Sequence, residues 1–251
     1  KMKKIIKKLI NILGYNISRI NKKYENIDLD KLLQEKINNS NPVVFDVGAN
    51  KGQSVEKFKK IFNDPIIHSF EPNKDVYDIM YSKFKNDEKV FCNNFALGNK
   101  IEDKHFNITE KTGKSSFYNL NTSEDWVKNR NKRYTTYVTS KQKVKVFTID
   151  DYCNEKRINE IDLLKMDTQG YEDKILEGSI NSLKNNKIKF VIAEIIFNDY
   201  YDEYFLFSNI EKHLVPNNFR LVGMEINNNN IFQGAVFGAN VYYMNKKIFN
   251  I

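Results

Sequence analysis

The chain has 251 residues, 41% of them hydrophobic, which suffices for one catalytic domain over 42–251 behind an N-terminal helical extension over 1–41. No run of eighteen apolar residues occurs, which excludes a transmembrane helix; Cys92 and Cys153 are too few for a disulfide framework and lack metal-ligand spacing, so a reducing cytoplasm fits. The net charge of +8 rests mainly on lysine in a chain also rich in Asn and Ile, so it is a weak hint toward acidic partners.

Lys1 precedes Met2, which reads as the native start. Ile5, Ile6, Leu9, Ile10, Leu13, Ile17 and Ile20 then recur at helical spacing, with Lys3, Lys4, Lys7 and Lys8 between them. Lys7 and Lys8 break the apolar region, so this is no signal peptide but an amphipathic basic helix. Residues 2–20 either lie on an anionic membrane, at its inner face, or pack on the domain or on a second copy as a homodimer. A second helical stretch, Leu29 to Ile37, leads into a turn at Asn39 to Pro42.

Val43, Val44 and Phe45 form a short apolar strand that runs into Asp46-Val47-Gly48-Ala49-Asn50-Lys51-Gly52, and a helix follows from Gln53. Gly48 and Gly52 suit a turn that needs positive φ or close backbone approach, and Asp46 stands where a carboxylate can face a ligand. Glu71 closes the next apolar run 19 residues past Gly52, where nucleotide-binding folds place the acid that grips ribose hydroxyls. A dinucleotide pattern would need glycine and a small residue where Asn50 and Gln53 stand, and a side chain at Asn50 crowds a pyrophosphate. S-adenosylmethionine fits better, because it has no phosphate and carries an ammonium that welcomes a nearby carboxylate. The plain alternative is a bare turn without ligand.

Strand and helix alternate from there. Strands are predicted at 43–47, 66–70, 89–93, 161–166, 188–194, 218–226 and 237–244, with helices near 53–62, 73–85, 171–184 and 201–214. The last two strands are joined by an Asn-rich link too short for a crossover helix, so they should pair antiparallel. The expected fold is α/β and Rossmann-like, with the sheet usual in class I methyltransferases: seven mostly parallel strands, a C-terminal antiparallel hairpin, and helices on both faces. Between 101 and 146 the alternation stops. That stretch carries Ser115, Ser116, Trp126, Tyr134 and the cations Lys128, Arg130, Lys132, Arg133, Lys141, Lys143 and Lys145. It reads either as a solvated excursion or as a lid whose cations meet acceptor phosphates, with Ser116, Arg130 and Arg133 as contacts.

Phe45 to Asn50 followed by Gly52, Ser69-Phe70-Glu71-Pro72, Asn94 to Gly98, Thr148 to Asp151 and Leu163 to Glu172 together resemble the FkbM-type S-adenosylmethionine-dependent methyltransferases. The resemblance spans roughly 43–245 and does not include the N-terminal helix. It implies methyl transfer to a hydroxyl oxygen, commonly of a sugar or a polyketide. The absence of a polyketide-sized apolar insertion favours a sugar, such as a nucleotide-sugar or a precursor of capsule or lipopolysaccharide. It also places Asn94 beside the adenine or its ribose, with Phe95 or Phe70 on the ring. Members often carry Glu where Gln169 stands, which makes Gln169 a poor choice for a catalytic acid.

Candidate bases belong at the carboxyl ends of the strands, where open α/β sheets bind ligands. Asp167, which can also touch the cofactor, and Glu194 stand there; the plain alternatives are a helix cap for Asp167 and a lysine-paired acid for Glu194. Lys165 either snorkels or orients Asp167 or an acceptor oxygen. Glu172 has an ordinary helix-dipole role. Among the histidines, His105 is the one to test as a base, His68 being a core residue and His213 lying near a helix end. No ligand cluster supports a metal, which is left unassigned. Two rivals stand: an RNA methyltransferase, although no recognisable RNA-binding module accompanies the domain, and an inactive nucleotide- or membrane-binding domain.

Overall fold

Val44 and Phe45 point to opposite faces of one strand, and both are fully buried. The same holds for Leu163 and Leu164, Phe190 and Val191, and Tyr242 and Tyr243, so the central sheet is covered on both sides. The computed structural model describes residues 28–134, 136–203, 206–226, 231–232 and 235–250. The predicted amphipathic helix over 2–20 lies outside the described residues.

In chain order the elements are α1 (Leu29–Lys36), β1 (Val43–Val47), α2 (Gln53–Ile61), β2 (Ile66–Phe70), α3 (Lys74–Phe84), β3 (Val90–Asn93), β4 (Ala96–Leu97) and β5 (Glu102–Thr109). There follow a 3-10 turn at Thr112–Lys114, α4 (Asp125–Tyr134), β6 (Val138–Phe147), α5 (Ile149–Lys156), β7 (Ile161–Met166), α6 (Glu172–Glu177), α7 (Ile180–Lys184) and β8 (Ile188–Ile196). The chain ends with α8 (Phe207–Leu214), β9 (Phe219–Glu225), β10 (Ile231–Phe232), β11 (Ala235–Val236), β12 (Gly238–Asn245) and α9 (Lys246–Phe249).

The seven-stranded sheet runs β3-β2-β1-β7-β8-β12-β9. Its first five strands are parallel, and β12 lies antiparallel between β8 and β9, as the short Asn-rich link predicted. Helices α1, α2 and α3 cover one face with Leu33, Val55, Phe58 and Met80. The other face is covered by α5 to α8 with Ile149, Ile175, Leu183 and Ile210. Leu33 and Ile37 share a cluster with Val44 and Phe58, so residues 29–37 pack with the sheet.

Two predicted helices are shorter than their periodicity suggested. The stretch 171–184 divides into α6 and α7 because Gly178 sits against the chain after β4, where an added Cβ would lie 1.9 Å from the Gly98 carbonyl oxygen. The stretch 201–214 begins as a helix only at Phe207, because Tyr201 bridges Leu120 and the Asp202 carboxylate accepts from Asn119. Residues 101–146 are not irregular: β5 and β6 form an antiparallel pair, β4 joins β6, and α4 packs Val127 into an aromatic cluster with Tyr118, Tyr200 and Phe237. Along β6, Gln142, Val144 and Val146 face inward while Lys141, Lys143 and Lys145 are exposed. Those three lysines point away from the sheet's ligand side rather than converging on it. Among the described residues no helix is long and apolar enough to cross a membrane.

Candidate active site

β1 stops where Gly48 takes a φ of +75°, and Gly52, at +84°, caps α2. The Gly48 and Ala49 amides donate to the Phe70 carbonyl at 3.0 and 3.1 Å, which ties this turn to the end of β2. The next residue, Glu71, accepts from the amides of Asn50 and Asn73, each at 2.9 Å. Burial pushes the Glu71 carboxyl up to about 7 against the pull of those two hydrogen bonds. A carboxylate offers about four acceptor positions, so two remain for a ligand.

β7 supplies the opposite wall. Lys165 Nζ stands 3.0 Å from Asp46 Oδ1 and 3.9 Å from Asp167 Oδ2, and donates to the Gly48 carbonyl at 3.3 Å. Burial lowers the Lys165 ammonium, but Asp46 and Asp167 outweigh it and hold the group above its ordinary value. The loop after β7 turns through positive φ at Gln169 and Gly170, and the buried Glu172 carboxylate holds it by accepting from Thr168 N at 2.6 Å and Gly170 N at 3.0 Å. Burial raises Glu172 to about 7.

The amide of Gln169 donates to Asp167 Oδ1 at 3.0 Å and also to Glu194 Oε2. Burial works to raise Asp167, but Lys165 and Lys114 overcome it and hold the carboxyl below its usual range. Burial first and the Asp167 charge second push Glu194 up to about 8. The two carboxyls are thus pushed apart, Asp167 toward its ionised form and Glu194 toward its protonated one.

A cleft opens between these walls. Gly48, Asn50 and Glu71 line one side and Asp167, Thr168, Gln169 and Tyr171 the other. The 101–146 segment closes it with Phe106, Thr112, Gly113, Ser115 and Phe117, and Gly113 lies against the Asn50 side chain.

Of the residues singled out from sequence, Gly48, Asn50, Glu71 and Asp167 meet at this cleft. Asp46 does not line it: the side chain is fully enclosed beneath the turn, with Lys165 across it. Gly52 packs on Phe84, and Asn94 faces solvent while donating to the carbonyls of Glu71 and Pro72, so both brace the turns from behind. Glu194 reaches the site through Gln169. His105 does not reach it: it is exposed on β5, on the face opposite Lys104 and Phe106. Ser116 is buried and its hydroxyl donates to the Gln169 carbonyl at 2.8 Å, which makes it a clasp between insertion and loop. The side chains of Arg130 and Arg133 lie outside the described residues.

Two residues escaped sequence reasoning, and a third, Gln169, was considered only as an acid. Lys114 Nζ donates to Gln169 Oε1 at 3.0 Å, and the Tyr201 hydroxyl donates to the same oxygen at 3.2 Å. Gln169 itself is the hub. Its partners in the insertion and after β8 lie far away in the chain, so no local spacing could reveal them. Among the described residues no three His, Cys, Asp or Glu side chains converge to hold a metal ion.

The sheet order, the glycine turn closing on β7 and the acid at the end of β2 define the Rossmann-like methyltransferase class. A methyltransferase FkbM domain model matches residues 46–221, and the chain belongs to that family of S-adenosylmethionine-dependent methyltransferases. It is similar to the 2-O-methyltransferase NoeI of Sinorhizobium fredii (strain NBRC 101917 / NGR234), with 22% identity over 185 residues that cover 73% of this chain and 75% of that protein. Among solved structures it is similar to magnesium protoporphyrin IX methyltransferase (ChlM) of Synechocystis PCC 6803, at 9% identity, 97% coverage of each chain and a TM-score of 0.45. Fibrillarin of Aeropyrum pernix aligns at 10% identity over 86% of this chain and 73% of that one, with a TM-score of 0.44.

Proposed function

We propose that the protein methylates a hydroxyl oxygen of a sugar, carried on a nucleotide or on a precursor of a surface glycan such as capsule or lipopolysaccharide. The observation that carries this reading is the Asp167–Glu194 pair, two carboxylates bridged by one amide at the strand ends. An acceptor hydroxyl must lose its proton as the new bond forms, and in this reading an ionised Asp167, which lines the cleft, takes it. Such a base contributes about 10²- to 10⁴-fold, with positioning supplying more.

When bound, S-adenosylmethionine supplies a sulfonium methyl group open to in-line displacement by oxygen. The residues present fit it. Gly48 leaves bare backbone at the cleft wall, and Thr168 Oγ1 is buried there without a hydrogen-bond partner among the described residues. Glu71 has acceptor capacity left for ribose hydroxyls, while the turn from Gly48 to Asn50 and Asp167 would hold the amino-acid end. Asp46 and Lys165 support that wall from beneath.

An oxygen acceptor is supported by the name of the 2-O-methyltransferase relative. A sugar is supported by the cleft lining, where the rings of Phe106 and Phe117 from the insertion and of Tyr171 from the loop after β7 share the site with the polar groups of Thr112, Ser115 and Asp167. A sugar likewise presents a C–H face and a rim of hydroxyls. In this reading residues 101–146 are the acceptor lid.

The test is a turnover assay with S-adenosylmethionine and a panel of nucleotide-sugars, lipid-linked sugars and RNA, read by mass spectrometry of the acceptor. Addition of one methyl group to a sugar oxygen is expected. Methylation of RNA alone would overturn the sugar reading.

A further inference from the structure

Gln169 has a fully committed side chain. Its amide nitrogen donates to Asp167 and Glu194, and its amide oxygen accepts from Lys114 and Tyr201. An ionised Asp167 only accepts and the Lys114 ammonium only donates, so these two partners alone allow one orientation of the amide. Its backbone is equally constrained. A φ of +59° costs a non-glycine residue about 1–2 kcal/mol and persists only where neighbours over-determine it. Here Ser116 binds its carbonyl, and Glu172 binds the amides on either side of it.

We infer that Gln169 is a positioning residue for the transfer: it holds Asp167 and Glu194 as one pair and ties that pair to the insertion through Lys114 and Tyr201. The inference rests on the reading of those carboxylates as the groups that handle the acceptor's proton. It adds that the insertion takes part in the chemistry, since its cation reaches the base through a single amide. A carboxylate pair without the bridge would be free to turn away from the acceptor, and misplacement by about 1 Å can cost about 10²-fold in rate.

The groups facing the pair come from every element around it. Lys165 and, behind it, Asp46 lie beneath, Glu172 follows in the same loop, Lys114 approaches from the insertion, and Tyr201 from the segment after β8. Lys114 pulls both carboxyls downward and is the one cation in that set carried by the insertion. Moving the Thr112–Lys114 turn away would therefore make Asp167 a weaker holder of its charge.

Two measurements test this. The first is carbon-13 NMR titration of the side-chain carboxyls in the ligand-free protein, which needs no acceptor. Asp167 is expected to titrate below the ordinary range and Glu194 well above it, with Asp167 moving upward in Gln169→Met and both moving upward in Lys114→Met. Independent titration of both groups in the ordinary range, or unmoved values in both variants, would overturn the inference.

The second is the pH–rate profile with the nucleotide-sugar that the acceptor screen identifies. Gln169→Met should lose about 10²-fold in kcat at every pH, with KM for S-adenosylmethionine changed far less. Gln169→Glu should lose as much at high pH and recover as pH falls, because a protonated carboxyl again has a hydrogen to donate. Equal losses at all pH values in both variants would mark a merely structural role. Thermal unfolding of each variant shows whether it folds; if Gln169→Met does not, Lys114→Met carries the test from the insertion side. Should the wild type methylate no sugar, the proposed function fails, while the NMR titration still decides whether the bridged pair exists.

Discussion

A Cβ built on Gly48 would lie 2.0 Å from the carbonyl oxygen of Asp167. The turn after β1 and the turn after β7 thus touch backbone to backbone, and Asp167 N donates to the Val47 carbonyl at 3.0 Å beside them. Gly48→Ala must force the two strand ends apart and also adopt a left-handed φ, which alone costs about 1–2 kcal/mol. We expect calorimetric binding of S-adenosylhomocysteine to be lost and Tm to fall by about 2–4 °C per kcal/mol. Wild-type affinity in this variant would show that the turn has room to spare.

The ion pair of Asp46 and Lys165 is next to test. Asp46 is fully buried, and neither of its oxygens accepts a well-aligned hydrogen bond from a described residue, so the Lys165 charge is its main compensation. Lys165→Met should cost about 3–5 kcal/mol, because it leaves a buried carboxylate uncompensated. The double variant Asp46→Asn, Lys165→Met should recover a large part of that loss. Urea midpoints of the three proteins decide it: additive losses would mean that the two side chains do not depend on each other.

How much of this was legible before the structure depends on the distance over which each signal acts. The turn at Gly48 and the acid at Glu71 follow from local rules, a strand's end and a glycine's φ, and both proved to line the cleft. The five parallel strands were visible as apolar runs because both sheet faces are buried. β6 was hidden for the opposite reason: its outer face is Lys141, Lys143 and Lys145, so an ordinary alternating strand looked like a charge run. α5 was missed although Thr148 caps it by accepting from Asp151 N, since its apolar positions are few. Asp46 was expected to face the ligand, and no local pattern says that a lysine more than a hundred residues on will stand opposite it on the neighbouring strand and cover it. Gln169 was set aside because an amide is a poor acid, whereas its importance lies in having two donors and two acceptor positions to commit.

Glu71 makes cofactor affinity depend on pH. Its carboxyl titrates near 7 in the ligand-free protein, raised chiefly by burial. Accepting from ribose hydroxyls favours the ionised form, so S-adenosylhomocysteine should bind more tightly as pH rises from about 6 to 8. Glu71→Gln should bind more weakly and lose most of that pH dependence. Glu71→Ala should also destabilise the fold, by about 1–3 kcal/mol for each buried amide left unpaired at Asn50 and Asn73. Calorimetric titrations at three pH values separate these effects, and a pH-independent wild-type affinity would remove Glu71 from the ribose role.

The stability of the ligand-free protein should have the opposite dependence. Glu71 and Glu172 titrate at about 7 and Glu194 at about 8 when folded, against 4.5 for an ordinary glutamate, in each case with burial as the leading cause. A carboxyl whose folded value is raised binds its proton more tightly in the native state. Between about pH 4.5 and 8 the folded chain therefore carries more protons than the unfolded one, and unfolding free energy falls as pH rises. Each such group contributes a slope of up to about 1.4 kcal/mol per pH unit inside its window. Asp167, Asp64 and Asp87 are shifted the other way, with windows below the ordinary aspartate value of 3.8. Burial lowers His68 to about 4 and lowers His213 from 6.5, so these two histidines oppose the carboxyls between about pH 4 and 6.5. With three raised glutamates against two lowered histidines, Tm should decline from pH 5 to pH 8 in the absence of cofactor, more steeply above about pH 6.5. Glu172→Gln isolates one contribution: it keeps a single acceptor oxygen for the amides of Thr168 and Gly170, so it should lose about 1–3 kcal/mol at pH 5. Because it has no proton to release, its decline toward pH 8 should be shallower than that of the wild type. Parallel curves for the two proteins in scanning calorimetry would show that Glu172 is ionised throughout the range and that burial does not hold its proton.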